Sequence, residues 1–205
     1  MTDTQEMTRV EGEALLEYLQ GLPEESWDTQ TVCDPWSVRH LVAHLTALGN
    51  QTMPNFAKRM VMTGFNFQKV VDGDLQKWRH PTATMLENFE RSVANPSTPK
   101  ILEVPALGEF MCHGEDIRRA LGDRWDHPAA HVETLGPNYA KTGKPLNGKS
   151  RTPGLSFRAT DSQFRFGEGP EIAGPGIDVI MAIAGRLDAL DHCKGDGVPL
   201  MRAAS

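Results

Sequence analysis

Two histidines and one glutamate are the residues best spaced to do chemistry together. Of the seven histidines, His80 and His127 each precede a proline, whereas His44 and His113 fall within helical patterns. In the second helical segment, Val38, Leu41, Val42, Leu45 and Leu48 form an apolar stripe, and His44 lies on its shoulder at about 100° per residue. In a later segment, Leu107, Phe110, Met111, Ile117 and Leu121 form an equivalent stripe. Glu109 and His113 share its shoulder as an i, i+4 pair on one face. A carboxylate and an imidazole one turn apart can bind the same divalent ion, and an imidazole from a facing helix completes a three-ligand set. Two histidines and a glutamate leave the fourth tetrahedral position of zinc open, as catalytic sites do. Asp116, near the same strip, is placed to orient a ligand imidazole. The spacing alone favours a hydrogen-bonded structural cluster over a metal site, because nothing in it fixes the pairing across helices.

These residues must be held by helices. Apolar residues recur at helical spacing from Val10 to Leu19, before the breaker Gly21-Leu22-Pro23. A second helix starts around Asp34-Pro35-Trp36-Ser37, where Ser37 or Asp34 can cap and Pro35 suits a first turn, and runs to Gly49. Further helical patterns cover 55–78 (with breaks expected near Gly64 or Gly73), 82–94 and 106–121. Short polar or proline-containing joints between amphipathic segments predict a mainly α protein built on an antiparallel four-helix bundle. Arg118 falls inside the apolar stripe of its helix, which suggests a salt bridge across a domain interface or a rotated helix. Cys112 points away from the proposed ligands and reads as packing.

A last helical stretch, 129–140, gives way to a Gly/Pro-rich joint with four basic residues (Lys141, Lys144, Lys149, Arg151) and no acidic one before Gly154. Its composition reads as a solvated linker or as a cationic flap for an acidic ligand. The period then changes to two over 155–159 and 163–166, with a third short strand from Glu171, predicting a small antiparallel sheet followed by an apolar helix, 177–184. The expected organisation is a bundle over 1–142, a linker over 143–153 and a small C-terminal α+β domain over 154–205. Some 50 residues are marginal for an independent core.

Composition narrows the function classes. With 27 acidic and 21 basic residues the net charge is −6, which gives no general attraction to nucleic acid or anionic lipid. Three scattered cysteines with no CxxC build neither a disulfide framework nor a cysteine zinc site, and fit a reducing cytoplasm. The polar, acidic N-terminus has no signal core, and no apolar run approaches a membrane span. A cytoplasmic protein, monomeric or homodimeric, is expected.

The run Pro35-Trp36-Ser37-Val38-Arg39-His40-Leu41-Val42-Ala43-His44-Leu45 resembles the W-S/T-V-x-x-L-x-x-H-L signature of DinB-like proteins of the mycothiol-dependent maleylpyruvate isomerase family. The segment Glu109-x-x-x-His113-Gly-Glu-Asp116-Ile-x-x-Ala-Leu-Gly122 is similar to that family's second metal-ligand segment. Phe157-x-Ala-Thr-Asp161, Gly167-x-Gly-Pro170-x-Ile-x-Gly174, Gly185-Arg186 and Gly195-Asp-Gly197 resemble its small C-terminal domain. The resemblance implies a DinB-like bundle that binds a divalent ion, usually zinc, through His44, Glu109 and His113. It also implies mycothiol as cofactor, the metal stabilising the thiolate that acts as nucleophile. In the isomerase reaction that thiolate adds to the conjugated double bond of maleylpyruvate, rotation follows, and elimination gives fumarylpyruvate; in a transferase branch the adduct is released. Arg186, in the family-like Gly-Arg pair, is the candidate catalytic residue for binding a dicarboxylate substrate, although a helix C-terminus also favours a surface arginine. An S-transferase acting on electrophiles or in biosynthetic thiol transfer, a non-catalytic small-ligand-binding bundle and a metal-dependent hydrolase are the alternatives.

Overall fold

The first helix, α1 (Asp3–Gln20), buries Thr8, Glu11, Gly12, Leu15 and Leu19, a three- and four-residue spacing that puts one stripe against the core. It belongs to the first of two units in the computed structural model, which describes residues 3–94, 98–143 and 146–204. This unit comprises residues 1–125 and continues through α2 (Val38–Gly49), α3 (Met53–Met62), α4 (Phe67–Trp78), α5 (Thr82–Ala94) and α6 (Glu103–Ala120). Helices α1 and α2 each pack against both α5 and α6, so the bundle runs α1, α5, α2, α6 around its axis. Its core joins Leu15 and Leu19 to Leu41, Leu45, Met85, Phe89, Phe110 and Ile117.

Small residues set the helix spacing. A Cβ on Gly12 would lie 2.7 Å from a Val93 methyl, and one on Gly49 would lie 2.9 Å from Ser92 Cβ, so α5 is gripped from both sides through glycine contacts. The pattern over 55–78 breaks at Gly64 and Phe65, both with positive φ, while Gly73 stays inside α4. Helix α3 buries none of its residues and rests on α4, which packs in turn on α2.

Arg118 is 3% exposed and does not reach out of its unit for a partner. Its guanidinium donates to Ala14 O at 3.0 Å and lies between the rings of Tyr18 and Trp125, 5.3 and 5.2 Å from their centroids. A cation among aromatic faces explains a charged residue inside an apolar stripe. Cys112 is buried, as a packing role requires.

The second unit comprises residues 126–205. The division therefore falls near 125 rather than 142. Helix α7 (Ala129–Lys141) buries Val132, Leu135, Gly136 and Tyr139 and packs on α9 (Gly176–Ile183) and the sheet, so it completes the smaller core instead of ending the bundle. The joint expected as a linker is also built structure over its described part. Gly148 opens the short helix α8 (Gly148–Arg151) against Tyr139 O, Thr152 Oγ1 donates to Ala140 O, and Arg151 donates to the carbonyls of Leu146 and Ile183. Lys144 lies outside the described residues.

The sheet has order β2-β1-β3, with β1 (Ser156–Ala159) antiparallel to β2 (Arg165–Gly167) but parallel to β3 (Glu171–Gly174). It is mixed, not antiparallel as alternation suggested. The chain passes from β2 to β3 around the start of β1 through Gly167 (φ 78°) and Gly169 (φ 127°). A Cβ at either would sit 2.3 Å from a carbonyl oxygen of the crossed segment, so only glycine makes this wrap. Helix α9 starts where Asp161 accepts from Gly176 N at 2.9 Å. It ends in a Schellman closure, Gly185 N bonding Ala182 O and Arg186 N bonding Met181 O, both at 2.9 Å. A final helix, α10 (Gly197–Ala203), closes the unit.

Candidate metal centre

The turn ahead of α2 is built by its own hydrogen bonds. Thr31 N and Thr31 Oγ1 both donate to Trp36 O, at 3.1 and 2.7 Å, Trp36 N donates to Cys33 O at 2.6 Å, and Val38 N donates to Thr29 O at 3.0 Å. Asp34 and Pro35 lie in this turn and Ser37 is the residue before the helix, so Ser37 rather than Asp34 is the cap. Ser37 N donates to His40 Nδ1 at 3.2 Å, a reciprocal tie of the capping-box kind.

Burial, together with Arg79 and Arg39, lowers the His40 pKa below its usual 6.5, with Asp28 opposing. The folded chain thus favours the neutral ring, which can accept from Ser37 N. The unfolded chain takes up the proton first, so this contribution is present above pH 6.5 and is lost as pH falls through the depressed folded value. Thermal melts at pH 7.5 and 5.5 should show the stability of wild type relative to His40→Gln falling on acidification. His40→Gln keeps an acceptor that can reach Ser37 N, as in a capping box, but does not titrate there, so that difference isolates the His40 proton.

Helix α2 carries His44 and α6 carries Glu109 and His113 to one point. Glu109 Oε2 accepts from His44 Nε2 at 3.2 Å and from His113 Nε2 at 3.0 Å, and one donor atom from each residue lies within 4.8 Å of the others. The imidazoles meet edge to face, 5.4 Å between centroids. The structure thus brings together the three residues whose pairing across helices spacing left open.

Asp116 is fully buried and its Oδ2 accepts from His113 Nδ1 at 2.9 Å. That bond fixes the His113 ring so that Nε2 is the nitrogen turned towards Glu109. Burial favours neutral forms at both ends of this chain of contacts. At Glu109, donors His113 and His44 outweigh burial and hold the carboxyl well below the ordinary range. At His113, Asp116, Cys33 and Glu109 outweigh burial and raise the imidazole well above 6.5. An ionised carboxylate between two imidazole nitrogens is a donor set that suits a divalent ion of the zinc type.

Two contributors escaped the sequence reading. Cys33 Sγ donates to Asp116 Oδ2 at 3.1 Å and lies 3.8 Å from His113 Nδ1. Trp36 packs over both imidazoles, 5.2 Å from the His44 ring and 6.3 Å from the His113 ring. Trp36 was visible as part of a signature; the turn that bends it back over the helix it precedes has no local periodicity to reveal it. Asp116→Asn keeps the shape but removes the charge that orients His113. It is expected to weaken zinc affinity about 10–100-fold, the usual scale for an outer partner, in competition with a chromophoric chelator.

Arg186 lies in the second unit at the Schellman closure of α9, half-buried. That unit also carries a depression of about 590 Å³ lined by Asn147, Ser150, Arg151, Leu155 and Leu200 among others. None of the three clustered residues lines it. No helix is long and apolar enough to cross a membrane among the described residues.

Residues 8–97 match the family model described as the mycothiol maleylpyruvate isomerase N-terminal domain. The matched stretch contains the Trp36-to-His44 signature, while Glu109 and His113 lie beyond it. Two solved structures resemble the chain in fold: the crystal structure of the mycothiol-dependent maleylpyruvate isomerase, with a TM-score of 0.66, and that of a histidine-to-alanine mutant, with 0.65. Each is 14% identical, the match covering 95% of this chain and 92% of the other. No curated protein sequence matches the chain. The first unit thus matches the mycothiol maleylpyruvate isomerase N-terminal domain model over residues 8–97, and the chain carries the DinB-like helical fold with a small α+β part that its motifs predicted.

Proposed function

We propose that this protein is a metal- and mycothiol-dependent enzyme acting on an activated double bond, of the maleylpyruvate cis-trans isomerase type. The observation that carries the reading is the convergence of His44, Glu109 and His113 at one carboxylate oxygen, with His44 inside the stretch that matches that family's model. These three residues would hold the ion. When bound, a divalent ion supplies the Lewis acidity that keeps a thiol ionised at neutral pH, and mycothiol supplies the thiol. The chain's own groups set the site up. Asp116 keeps a proton on His113 Nδ1, Cys33 donates to the same carboxylate oxygen, and Trp36 shields the two imidazoles on one side. Arg186 is our candidate for holding a substrate carboxylate, through the charge-assisted bonds an arginine fork makes.

The test is an assay of zinc-loaded protein with maleylpyruvate, with and without mycothiol, beside metal analysis of wild type and His44→Ala. Thiol-dependent turnover together with stoichiometric zinc in wild type alone is the expected result. Turnover that persists without thiol would instead favour a metal-dependent hydrolase. Absence of zinc uptake would leave a structural cluster in a non-catalytic binding protein. Transfer of the thiol to electrophiles is the second reading, favoured by the apolar lining of the pocket beside His44.

A further inference from the structure

A small cavity of about 40 Å³ touches His44 and runs between α2 and the α3–α4 hairpin, lined by Ala47, Leu48, Phe56, Phe67, Val70 and Val71. Its polar lining is Gln51, Asp74 and His44 itself. Asp74 is already matched, Arg59 Nη2 lying 2.6 Å from its Oδ2 and 2.7 Å from Val70 O. No lysine or arginine lines the cavity among the described residues. A dicarboxylate placed there would lose its hydration and find no cation in the lining to replace it, Asp74 being already paired with Arg59. The apolar walls suit an uncharged hydrocarbon or aromatic group.

The cavity is small, about 40 Å³, so a ligand must enlarge it, and α3 is the wall that can move. Helix α3 buries no residue, joins α4 through the positive-φ pair Gly64 and Phe65, and rests on α4 with few contacts beyond the Arg59 bonds. Phe56 stands on α3 and Phe67 at the start of α4, so displacement of α3 widens the pocket while α4 stays packed on α2.

We propose that this pocket seats an uncharged apolar portion of the acceptor substrate. The acceptor class is then an electrophile or activated alkene with a hydrophobic arm, not a small dicarboxylate alone. The assignment rests on the reading of His44, Glu109 and His113 as the reactive centre, but its test does not require turnover.

The probe is N-phenyl-1-naphthylamine, a neutral dye that brightens in apolar sites, titrated into the full chain with and without zinc. Wild type should bind it saturably. Phe56→Ser/Phe67→Ser should weaken binding at least tenfold, while Val61→Ser/Met62→Ser, on exposed positions of α3 outside the lining, should leave it unchanged. Maleate should not displace the dye. No saturable binding, equal losses in both variants, or displacement by millimolar maleate would each overturn the proposal. Should zinc uptake fail while the dye result holds, the pocket stands and the metal-centre reading falls.

Discussion

His44→Ala is expected to weaken zinc binding by more than about a hundredfold, and Glu109→Ala by at least as much. Loss of an outer partner alone costs about 10–100-fold, and each of these changes removes a donor to the ion itself. Only two donors would remain, and the site would no longer present the three-ligand set of catalytic zinc centres. The measurement is competition against a chelator of known affinity, with cobalt substitution as a second readout. Tetrahedral cobalt bands in wild type should lose intensity in both variants. Glu109→Gln separates charge from shape: an amide fills the same space but brings no anion, so it should fall close to Glu109→Ala. A variant that binds zinc as tightly as wild type would remove that residue from the ligand set. Neither position contributes a large apolar surface to the core, so the metal-free folds should survive and the comparison should report on the site.

Arg118→Met should produce the largest loss of stability, about 3 kcal/mol, in urea unfolding of the full chain. The substitution keeps an apolar stem but removes a buried cation that bonds Ala14 O and whose charge faces the buried carboxylates of Glu115 and, less strongly, Glu11. Breaking one side of a buried charge arrangement typically costs about 3–5 kcal/mol, whereas removing both sides is often close to neutral. The double variant Glu11→Met/Arg118→Met should recover only part of the loss, because buried Glu115, the larger charge acting on Arg118, remains. A single variant within about 0.5 kcal/mol of wild type would mean that the aromatic contacts and the carbonyl bond carry little, and that water replaces them.

The parts legible in the sequence are those governed by local period. The 82–94 helix is read to the residue, and His44, Glu109 and His113 stand out because three- and four-residue spacing ties a side chain to a helix face. Arg118 shows where that logic ends: its phase correctly places it inside the bundle, but only tertiary packing supplies the rings of Tyr18 and Trp125. The same holds for Cys33 and Trp36, whose turn is held by bonds between Thr31 and Trp36 that no spacing announces. Alternation marks β1, β2 and β3 but does not say which neighbour each pairs with, so the crossing at Gly167 and Gly169 had to be seen. Helix α7 looked like one more bundle helix because an apolar stripe does not name the surface it covers. The family motifs in the second unit have structural counterparts: Asp161 accepts at the start of α9 and Gly185 terminates it.

Residues 44 and 109 meet across 65 positions of chain. Anything held by both at once closes a long loop, and the entropy removed from the unfolded chain by such closure grows with loop length. An ion at this point would act as a reversible cross-link between α2 and α6. Removing it with a chelator should therefore speed global unfolding as well as silence any chemistry, and the first unit's resistance to proteolysis becomes a gauge of metal occupancy that needs no substrate.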